Sequence, residues 1–356
     1  MKLYSNRLLI VYTAFCIIIA VLVSGGIFLR EETMENRGWD NNNLEKLLSF
    51  MMRNSCKNNC EEPPVAIFDW DNTVVFNDIG DYFFNWMAEN DLFKYSSWEK
   101  TSPYLTEKSI QFLEENCLIE NGFIKGSDMK CFKAMSIIYN EGRLPDNTPA
   151  FAGYDPDLYE PSYAWLSHLL GGYRVEDIER LCEMAVKEAV KEESVMIYPQ
   201  MEWLIYKLQE SGFHVEVITA SPKILVVPFA NYLGIHEDNV SGIENVVKDG
   251  VLTSDLTGCG PFKDGENKII TYKKGKRCKM NEKIFGITGE DALEPAADLS
   301  KRPLFGAGDS DTDYHFMIDV TGLRLLINRN TPMITKEAKE NKDGKWIINE
   351  PFFTSN

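Results

Sequence analysis

The sequence has few of the residues that bind zinc or nucleic acids. It contains only four histidines, scattered along the chain, and the Cys56/Cys60 pair has no second pair nearby, which argues against a zinc site. Lysine and arginine together number 37, against 54 aspartates and glutamates, so the net charge is −17. Because nucleic-acid binding depends on cations that neutralise phosphates, this balance argues against a nucleic-acid partner.

A long run without charged side chains occurs at the N-terminus, over residues 8–29. The run is long enough to cross a bilayer, and Lys2 and Arg7 before it favour an N-terminus in the cytoplasm. We therefore predict a signal anchor or signal peptide, a transmembrane or signal helix, over residues 1–30. The length of the run favours an uncleaved anchor, while Ser24-Gly25-Gly26 leaves cleavage open. Either form predicts a membrane-anchored or secreted protein with its catalytic part outside the cytoplasm.

Seven cysteines lie beyond this run, and six of them form close pairs that can become disulfides in an oxidising compartment. The pairs are Cys56/Cys60, Cys117/Cys131 and Cys259/Cys278. Cys182 is left over, and its position on the apolar face of a predicted helix indicates a buried thiol.

Strand-like runs alternate with helical stretches through the rest of the chain. An amphipathic helix over 199–209 precedes the second strand, and such alternation predicts an α/β fold with a parallel sheet and right-handed crossovers. We predict a core domain formed by residues 63–77 and 197–356, preceded by a linker with one short helix at 31–62. The predicted strands are 65–68, 214–219, 303–307 and 323–327.

About 150 residues separate the first two predicted strands, which is far more than one crossover requires. Most of them are helical in pattern, and residues 175–193 carry apolar side chains at helical spacing, as is typical of core packing. We predict that residues 78–196 form an inserted helical cap domain. An insertion directly after the first strand is well placed to act as a lid.

Two aspartates, Asp69 and Asp71, follow the first predicted strand directly. Strand side chains alternate between faces, so both carboxylates leave the strand end on one side and Trp70 on the other. Such a pair can bind a divalent cation, or divide the roles of nucleophile and general acid/base. On its own the pattern is equally typical of a solvated turn, so its meaning depends on the rest of the chain.

Three later segments supply partners for that pair. Thr219 and Ala220 end the second strand, where a hydroxyl and a backbone N–H can hold a phosphate oxygen. Lys268 lies in a segment that we expect to open a helix, where its ammonium can neutralise a phosphate. Asp309 and Asp313 follow an apolar strand with a third carboxylate between them, and the three would repel one another unless a cation lies among them.

These segments, in this order, resemble the four motifs of the haloacid dehalogenase superfamily. The similarity rests on the DWDNT pattern from Asp69, the ITAS turn around Thr219, Lys268 and the GDSDTD pattern from Gly308, and it spans roughly residues 64 to 330. It implies a Rossmann-like core, and the second aspartate of the first motif implies a phosphatase. The insert resembles the C1-capped, phosphoserine-phosphatase-like branch, and the chain is more closely similar to bacterial phosphorylcholine phosphatases.

The resemblance implies a Mg²⁺-dependent phosphomonoester hydrolase. Asp69 would attack phosphorus and form an aspartyl-phosphate, while Asp71 would protonate the leaving oxygen and then take a proton from the hydrolytic water. The ligands of Mg²⁺ would be the Asp69 and Asp309 carboxylates and the Asp71 backbone carbonyl, with Asp313 fixing the bound waters. The phosphoryl oxygens would be held by Thr219, Ala220 and Lys268.

The substrate is expected to be a small phosphoester with a phosphocholine- or phosphoserine-like headgroup. Asp78 stands where the similar phosphatases also carry an acid, so it can attract a cationic headgroup, or it can simply cap a helix. Aromatic side chains over residues 82–86 can bind a quaternary ammonium or pack in the core. We expect membrane contact through the N-terminal segment only.

Two other functions stay open at this point. A phosphotransferase would use the same motifs and pass the phosphoryl group to another alcohol. A non-catalytic, membrane-anchored binding protein would share the fold, although four intact motifs argue against it.

Overall fold

The structure, a computed structural model, describes residues 38–56 and 61–353. The predicted N-terminal anchor over residues 1–30 lies outside the described residues, as does Cys60 of the first predicted disulfide. Among the residues that are described, no helix has the length and apolar character needed to span a membrane.

The chain folds around one parallel sheet, which confirms the predicted α/β class. The strands of the described chain are β1 Val65–Phe68, β2 Val75–Phe76, β3 Ile119–Glu120, β4 Phe123–Ile124, β5 Met196–Ile197, β6 His214–Pro222, β7 Val240–Ile243, β8 Asn245–Lys248, β9 Val251–Leu256, β10 Phe305–Gly308, β11 Leu323–Ile327 and β12 Trp346–Asn349. All four predicted strands are present within a few residues of their expected bounds. The sheet has six strands in the order β12-β11-β10-β1-β6-β7, and each neighbouring pair runs parallel.

Helices cover both faces of this sheet because successive strand residues point to opposite sides. The helices of the described chain are α1 Asn41–Arg53, α2 Ile79–Glu89, α3 Glu107–Asn116, α4 Met129–Glu141, α5 Pro161–Leu169, α6 Val175–Lys191, α7 Pro199–Glu210, α8 Lys223–Tyr232, α9 Lys274–Phe285, α10 Tyr314–Asp319 and α11 Pro332–Glu340. On one face, Ile67 and Ile218 pack with α9, α10 and α11, and on the other, Phe68 and Val217 belong to the main core with α1, α7 and α8.

Helix α1 lies within the predicted linker over residues 31–62, where the sequence also predicted one short helix. Its first backbone N–H groups are capped by the Asp40 carboxylate, and its apolar face is buried. The Phe50 ring lies 5.8 Å from that of Phe213 and 5.9 Å from that of Phe305, and the Asn43 side chain donates to the Ile348 carbonyl. This helix therefore packs against the core domain.

The segment between β2 and β5 contains α2 to α6 and the β3–β4 hairpin, and it corresponds to the cap predicted over residues 78–196. The chain enters and leaves it through β2 and β5, which pair antiparallel. A second hairpin, β8–β9, comes from the core domain and contacts the cap, because the Gly172 N–H donates to the Leu252 carbonyl at 2.7 Å.

A buried histidine reinforces the contact between the cap and the β8–β9 hairpin. His168, on α5, lies 2.5 Å through Nδ1 from the Ser254 carbonyl oxygen and 2.7 Å through Nε2 from the Tyr159 hydroxyl. A carbonyl can only accept, so Nδ1 carries the proton and Nε2 accepts from the tyrosine. Burial lowers the pKa of His168 to about 4, which keeps the ring neutral.

Two of the three predicted disulfides are present in the described part of the chain. Cys117 pairs with Cys131 within the cap, and Cys259 pairs with Cys278 at the start of α9. Cys182 is a buried free thiol, as predicted.

Candidate active site

The candidate site lies where three neighbouring strands end. Asp69 follows β1, Thr219 lies near the end of β6, and Asp309 follows β10. Since β1 pairs with both β6 and β10, the carboxyl ends of these strands meet at one edge of the sheet. Ligands bind outside that edge in open parallel sheets, so the motifs converge where such a site is expected.

Asp69 is held by a hydrogen bond or ion pair at each carboxylate oxygen. Oδ1 lies 2.6 Å from the Lys276 ammonium, and Oδ2 accepts from the Thr73 hydroxyl at 2.9 Å. Its backbone N–H donates to the Ala307 carbonyl, which fixes the strand end. The side chain is buried and oriented, as an in-line nucleophile requires.

Asp71 has a different environment two residues later. Oδ1 accepts from the Ile79 N–H at 2.9 Å, and Oδ2 accepts from the Ser221 hydroxyl at 2.7 Å and from the Thr219 hydroxyl at 3.3 Å. Burial raises the pKa of Asp71 to about 6, against the effect of these hydrogen bonds. The two aspartates therefore differ, with Asp69 paired to a cation and Asp71 held by neutral donors.

A group of three carboxylates could hold a metal ion. One oxygen from each of Asp69, Asp309 and Asp313 lies within 4.8 Å of the other two, and all three residues are buried. Burial, and then the negative charge of Asp69, raises the pKa of Asp309 and that of Asp313. Buried carboxylate oxygens with excess negative charge are the donor set that Mg²⁺ prefers, so the residues fit this ion.

Asp313 reaches this position because the turn after β10 is tight. Its Oδ2 accepts from the backbone N–H groups of Asp309 and Ser310, at 2.9 and 3.1 Å. A Cβ on Gly308 would lie only 2.7 Å from that oxygen, so glycine is required for the close approach.

The cation of the site is Lys276, and the prediction for Lys268 was wrong. Residues 267–270 are not helical, Lys268 is exposed, and α9 begins only at Lys274. The Lys276 side chain is 1% exposed and lies 2.6 Å from both Asp69 Oδ1 and Asp313 Oδ1. Burial disfavours its ammonium, but Asp313 and Asp69 outweigh this effect and raise the pKa of Lys276.

The start of α9 is fixed on both sides of Lys276. A Cβ on Gly275 would lie 1.7 Å from the Ile270 carbonyl oxygen, so the backbone can approach only without a side chain. Arg277 forms a buried two-point ion pair with Asp319 at 2.6 and 3.0 Å, and Cys278 is tied to Cys259. These contacts hold the lysine in place beneath the carboxylates.

The side of the site formed by the start of the cap and the loop after β11 is more open. Asp78 caps α2, because its Oδ1 accepts from the N–H groups of Gly80 and Asp81 at 2.7 and 3.0 Å. Asp78, Asp81 and Arg329 line a cavity of about 310 Å³. Burial, and then the charges of Asp71 and Asp81, raises the pKa of Asp78.

Three of the four aromatic residues over 82–86 pack in the core. Phe83, Phe84 and Trp86 are buried, with the Phe84 ring stacked 3.9 Å from that of Tyr139 and the Trp86 indole N–H bonded to Glu188. Tyr82 is half-buried at the cavity of about 310 Å³, and its hydroxyl donates to Glu192. The sequence missed Ser221, Lys276 and Arg329, although Gly275 and the predicted Cys259/Cys278 pair pointed to a fixed segment around Lys276.

A family comparison agrees with this geometry. Residues 158–317 match the model of the haloacid dehalogenase-like hydrolases, a range that includes Thr219, Lys276, Asp309 and Asp313 but neither Asp69 nor Asp71. This part of the chain is therefore similar to a haloacid dehalogenase-like hydrolase domain. No curated protein sequence matches this chain.

Solved structures share the fold at low sequence identity. A conserved protein of unknown function from Anaerococcus prevotii DSM 20548 is 17% identical with a TM-score of 0.60, and the match covers 89% of the chain described here and 96% of that protein. A protein of unknown function from Bordetella pertussis Tohama I is 15% identical with a TM-score of 0.50, and the match covers 81% of the chain described here and 98% of that protein. A substrate-bound phosphoserine phosphatase is 18% identical with a TM-score of 0.38, and the match covers 78% of the chain described here and 90% of that protein. A structural similarity of this size carries no argument about function.

Proposed function

We propose that this protein is a Mg²⁺-dependent phosphomonoesterase that acts through an aspartyl-phosphate on Asp69. The observation that supports this most is the pair of unlike aspartates at the end of β1. One is aligned by Lys276 and Thr73, and the other is held by Ser221 and the Ile79 N–H within reach of the same space. Such a division of environments suits a nucleophile beside a general acid/base.

In the proposed reaction, Asp69 attacks phosphorus and the bond to the leaving oxygen breaks. Asp71 gives its proton to that oxygen, and it then accepts a proton from the water that cleaves the aspartyl-phosphate. The Thr219 hydroxyl, which donates to Asp71 Oδ2 at 3.3 Å in this structure, turns to the substrate and holds a phosphoryl oxygen together with the Ala220 N–H. The Lys276 ammonium balances the charge of Asp69 and Asp313. Thr73 keeps the Asp69 carboxylate in its attacking orientation.

Asp69, Asp309 and Asp313 would hold Mg²⁺, either directly or through bound water. When bound, this ion shields the anionic phosphate from the anionic nucleophile and stabilises the charge on the equatorial oxygens.

The proposed substrate carries a cation on its leaving group. Asp78 and Asp81 both line the cavity of about 310 Å³ at the start of the cap. Asp78 caps α2 through Oδ1, which leaves Oδ2 to bind a cationic group of the substrate. The charge of Asp81 adds to burial in raising the pKa of Asp78, and an ammonium group beside the two carboxylates offsets this repulsion. Phosphocholine, phosphoethanolamine and phosphoserine all meet this description.

A phosphoester panel with the full-length chain tests the proposal. We expect release of inorganic phosphate that requires Mg²⁺ and is faster for phosphoesters of amino alcohols than for sugar phosphates. If no phosphoester in the panel, including p-nitrophenyl phosphate, is hydrolysed in the presence of Mg²⁺, the proposal is wrong.

A further inference from the structure

Lys276, the buried cation of the site, lies between contacts with the cap and contacts with the core domain. The residues directly before it are bonded to the cap, since the Ile270 N–H donates to the Leu158 carbonyl at 3.1 Å and the Lys274 N–H donates to the Asp157 carbonyl at 3.2 Å. The Lys276 ammonium itself lies between two carboxylates of the core domain. The backbone that leads to this lysine is therefore attached to the cap, while its charge has to stay with the core.

A disulfide fixes the backbone on the other side of Lys276. Cys278, two residues later in α9, is bonded to Cys259 on the loop that follows β9, so the loop and the helix close a ring that contains the lysine. One hydrogen bond reinforces this link, because the Lys279 ammonium donates to the Gly258 carbonyl at 2.8 Å. The disulfide thus joins the start of α9 to a segment of the core domain.

The apolar packing around this disulfide is small. Its two cysteines make up half of a cluster of four buried residues in the described chain, and the other two members are Ile269 and Ala292. The buried ion pair of Arg277 with Asp319 holds α9 to α10 rather than to the loop after β9. Without the covalent bond, little would remain to keep this loop and the start of α9 together.

A second disulfide of the described chain provides a comparison. Cys117 and Cys131 join the end of α3 to the start of α4 within the cap, away from the carboxylates of the site. The two bonds connect residues 14 and 19 positions apart. Because the stabilisation that a disulfide gives by restricting the unfolded chain changes slowly with loop length, the two bonds should contribute similar stability. They differ in whether a proposed catalytic group lies beside them.

We propose that the Cys259–Cys278 disulfide positions Lys276, so that turnover depends on this pair being oxidised. The inference rests on the proposed function, in which the Lys276 ammonium balances the charge of Asp69 and Asp313. A trialkylphosphine opens the bond by giving two electrons to it. The phosphine takes the oxygen of one water and becomes a phosphine oxide, and the two protons of that water complete two thiols. The start of α9 then follows its contacts with the cap, and the ammonium leaves its place between the carboxylates.

Removal of each disulfide from the full-length chain tests the proposal. For Cys259→Ser/Cys278→Ser we expect kcat on p-nitrophenyl phosphate to fall by roughly 10- to 100-fold with KM changed by less than about 3-fold, because the displaced lysine acts on the nucleophile. Cys117→Ser/Cys131→Ser is the matched control, and its kcat should stay within about 3-fold of wild type. Circular dichroism measures folding in both variants.

The Lys276→Met background distinguishes positioning from a general loss of packing. If the disulfide acts through the lysine, its removal from Lys276→Met should lower kcat by less than about 2-fold further, because the group that it positions is already absent. An equal loss in the two backgrounds, or equal losses from removal of either disulfide, would overturn the proposal.

Reduction of wild type gives a measurement that needs no variant. The concentration of a trialkylphosphine is raised until alkylation and mass spectrometry show that the Cys259–Cys278 pair is open. Activity should fall in step with the opening of this pair, whatever the state of the cap disulfide, and return on reoxidation. Full activity with the pair open, or unfolding as soon as it opens, would overturn the positioning role. Failure of untreated wild type to hydrolyse p-nitrophenyl phosphate would instead overturn the proposed function itself.

Discussion

Two parts of the site are built differently. The floor consists of Asp69, Asp309, Asp313 and Lys276, and the wall consists of Asp78 and Asp81 at the start of the cap and Arg329 after β11. On the floor, both oxygens of Asp69 are paired, Lys276 lies between two carboxylates, and little of any side chain is exposed. On the wall, Asp78 uses one oxygen for a helix cap, and Arg329 is half exposed with one long hydrogen bond. The floor has one arrangement, fixed before any substrate binds, whereas the wall retains donors and acceptors for a ligand.

This contrast suggests that residues of the floor carry out the reaction and that residues of the wall discriminate between substrates. Fixed, desolvated groups lower a reaction barrier because they need no rearrangement in the transition state. Groups with unused hydrogen-bonding capacity discriminate between ligands, because a ligand that lacks the partner leaves them unpaired. Changes on the floor should therefore lower turnover of every substrate, and changes on the wall should alter the ranking of substrates.

The largest expected effect is loss of the nucleophile. Asp69→Asn removes the attacking oxygen, so we expect kcat to fall by at least about 10⁴-fold on all phosphoesters. Phosphate release and circular dichroism would measure activity and folding. Asp311→Asn is the matched control, because Asp311 caps α11 through Met333 and Ile334 and lies outside the carboxylate group. Substantial activity in Asp69→Asn would exclude the aspartyl-phosphate.

The next effect distinguishes the two lysines. Lys276→Met leaves Asp69 and Asp313 buried without their cation, so we expect a loss of about 10²- to 10³-fold in kcat/KM. Lys268→Met changes an exposed side chain and should retain nearly full activity. Steady-state kinetics on one substrate suffices, and equal losses in the two variants would contradict the placement of Lys276.

A smaller effect concerns the contact that holds the cap to the β8–β9 hairpin. Between pH 6.5 and 4 the unfolded chain protonates His168 while the native ring, with its pKa lowered to about 4, stays neutral. Stability therefore falls as the pH falls through this window, by about 3 kcal/mol from this residue. Denaturant unfolding of wild type and His168→Gln at several pH values measures it. The stability difference between the two proteins should change across the window, and a constant difference would refute the buried neutral ring.

The smallest effect belongs to the wall. Asp78→Asn keeps a helix cap but removes the charge, so the preference for phosphoethanolamine over glycerol phosphate should fall by roughly 10-fold in kcat/KM. Asp128→Asn makes the same exchange at the cap of α4 and should not alter the preference. If Asp78→Asn slowed both substrates equally, Asp78 would belong to the floor.

Much of the fold could be read from the sequence because its signals are local. The strand over 323–327 has the predicted bounds, and the buried runs at β1 and β6 are apolar over several residues. Asp69, Asp309 and Asp313 also follow from local patterns, since each directly follows a strand or glycine turn. The cap was visible as an excess of helical sequence between two strands.

The rest depends on contacts between distant segments. Five basic residues lie within 273–279, and which of them is buried depends on the approach of Gly275 to Ile270, which no local pattern encodes. Arg329 meets Asp309 only through the pairing of β10 with β11. The aromatic run at the start of the cap looked functional because burial by α4 and α6 is not visible in its own sequence.

The pairing of β2 with β5 has a consequence for how this architecture can be varied. Val75 lies opposite Ile197 and Phe76 opposite Met196, so the ends of the cap lie side by side regardless of what the chain does between them. The two ends of the cap are therefore held together next to the core strands, like the two strands of a hairpin. A replacement segment need only begin and end in two such strands. This junction is therefore a natural point at which a cap with different substrate contacts can be joined to the same proposed catalytic residues.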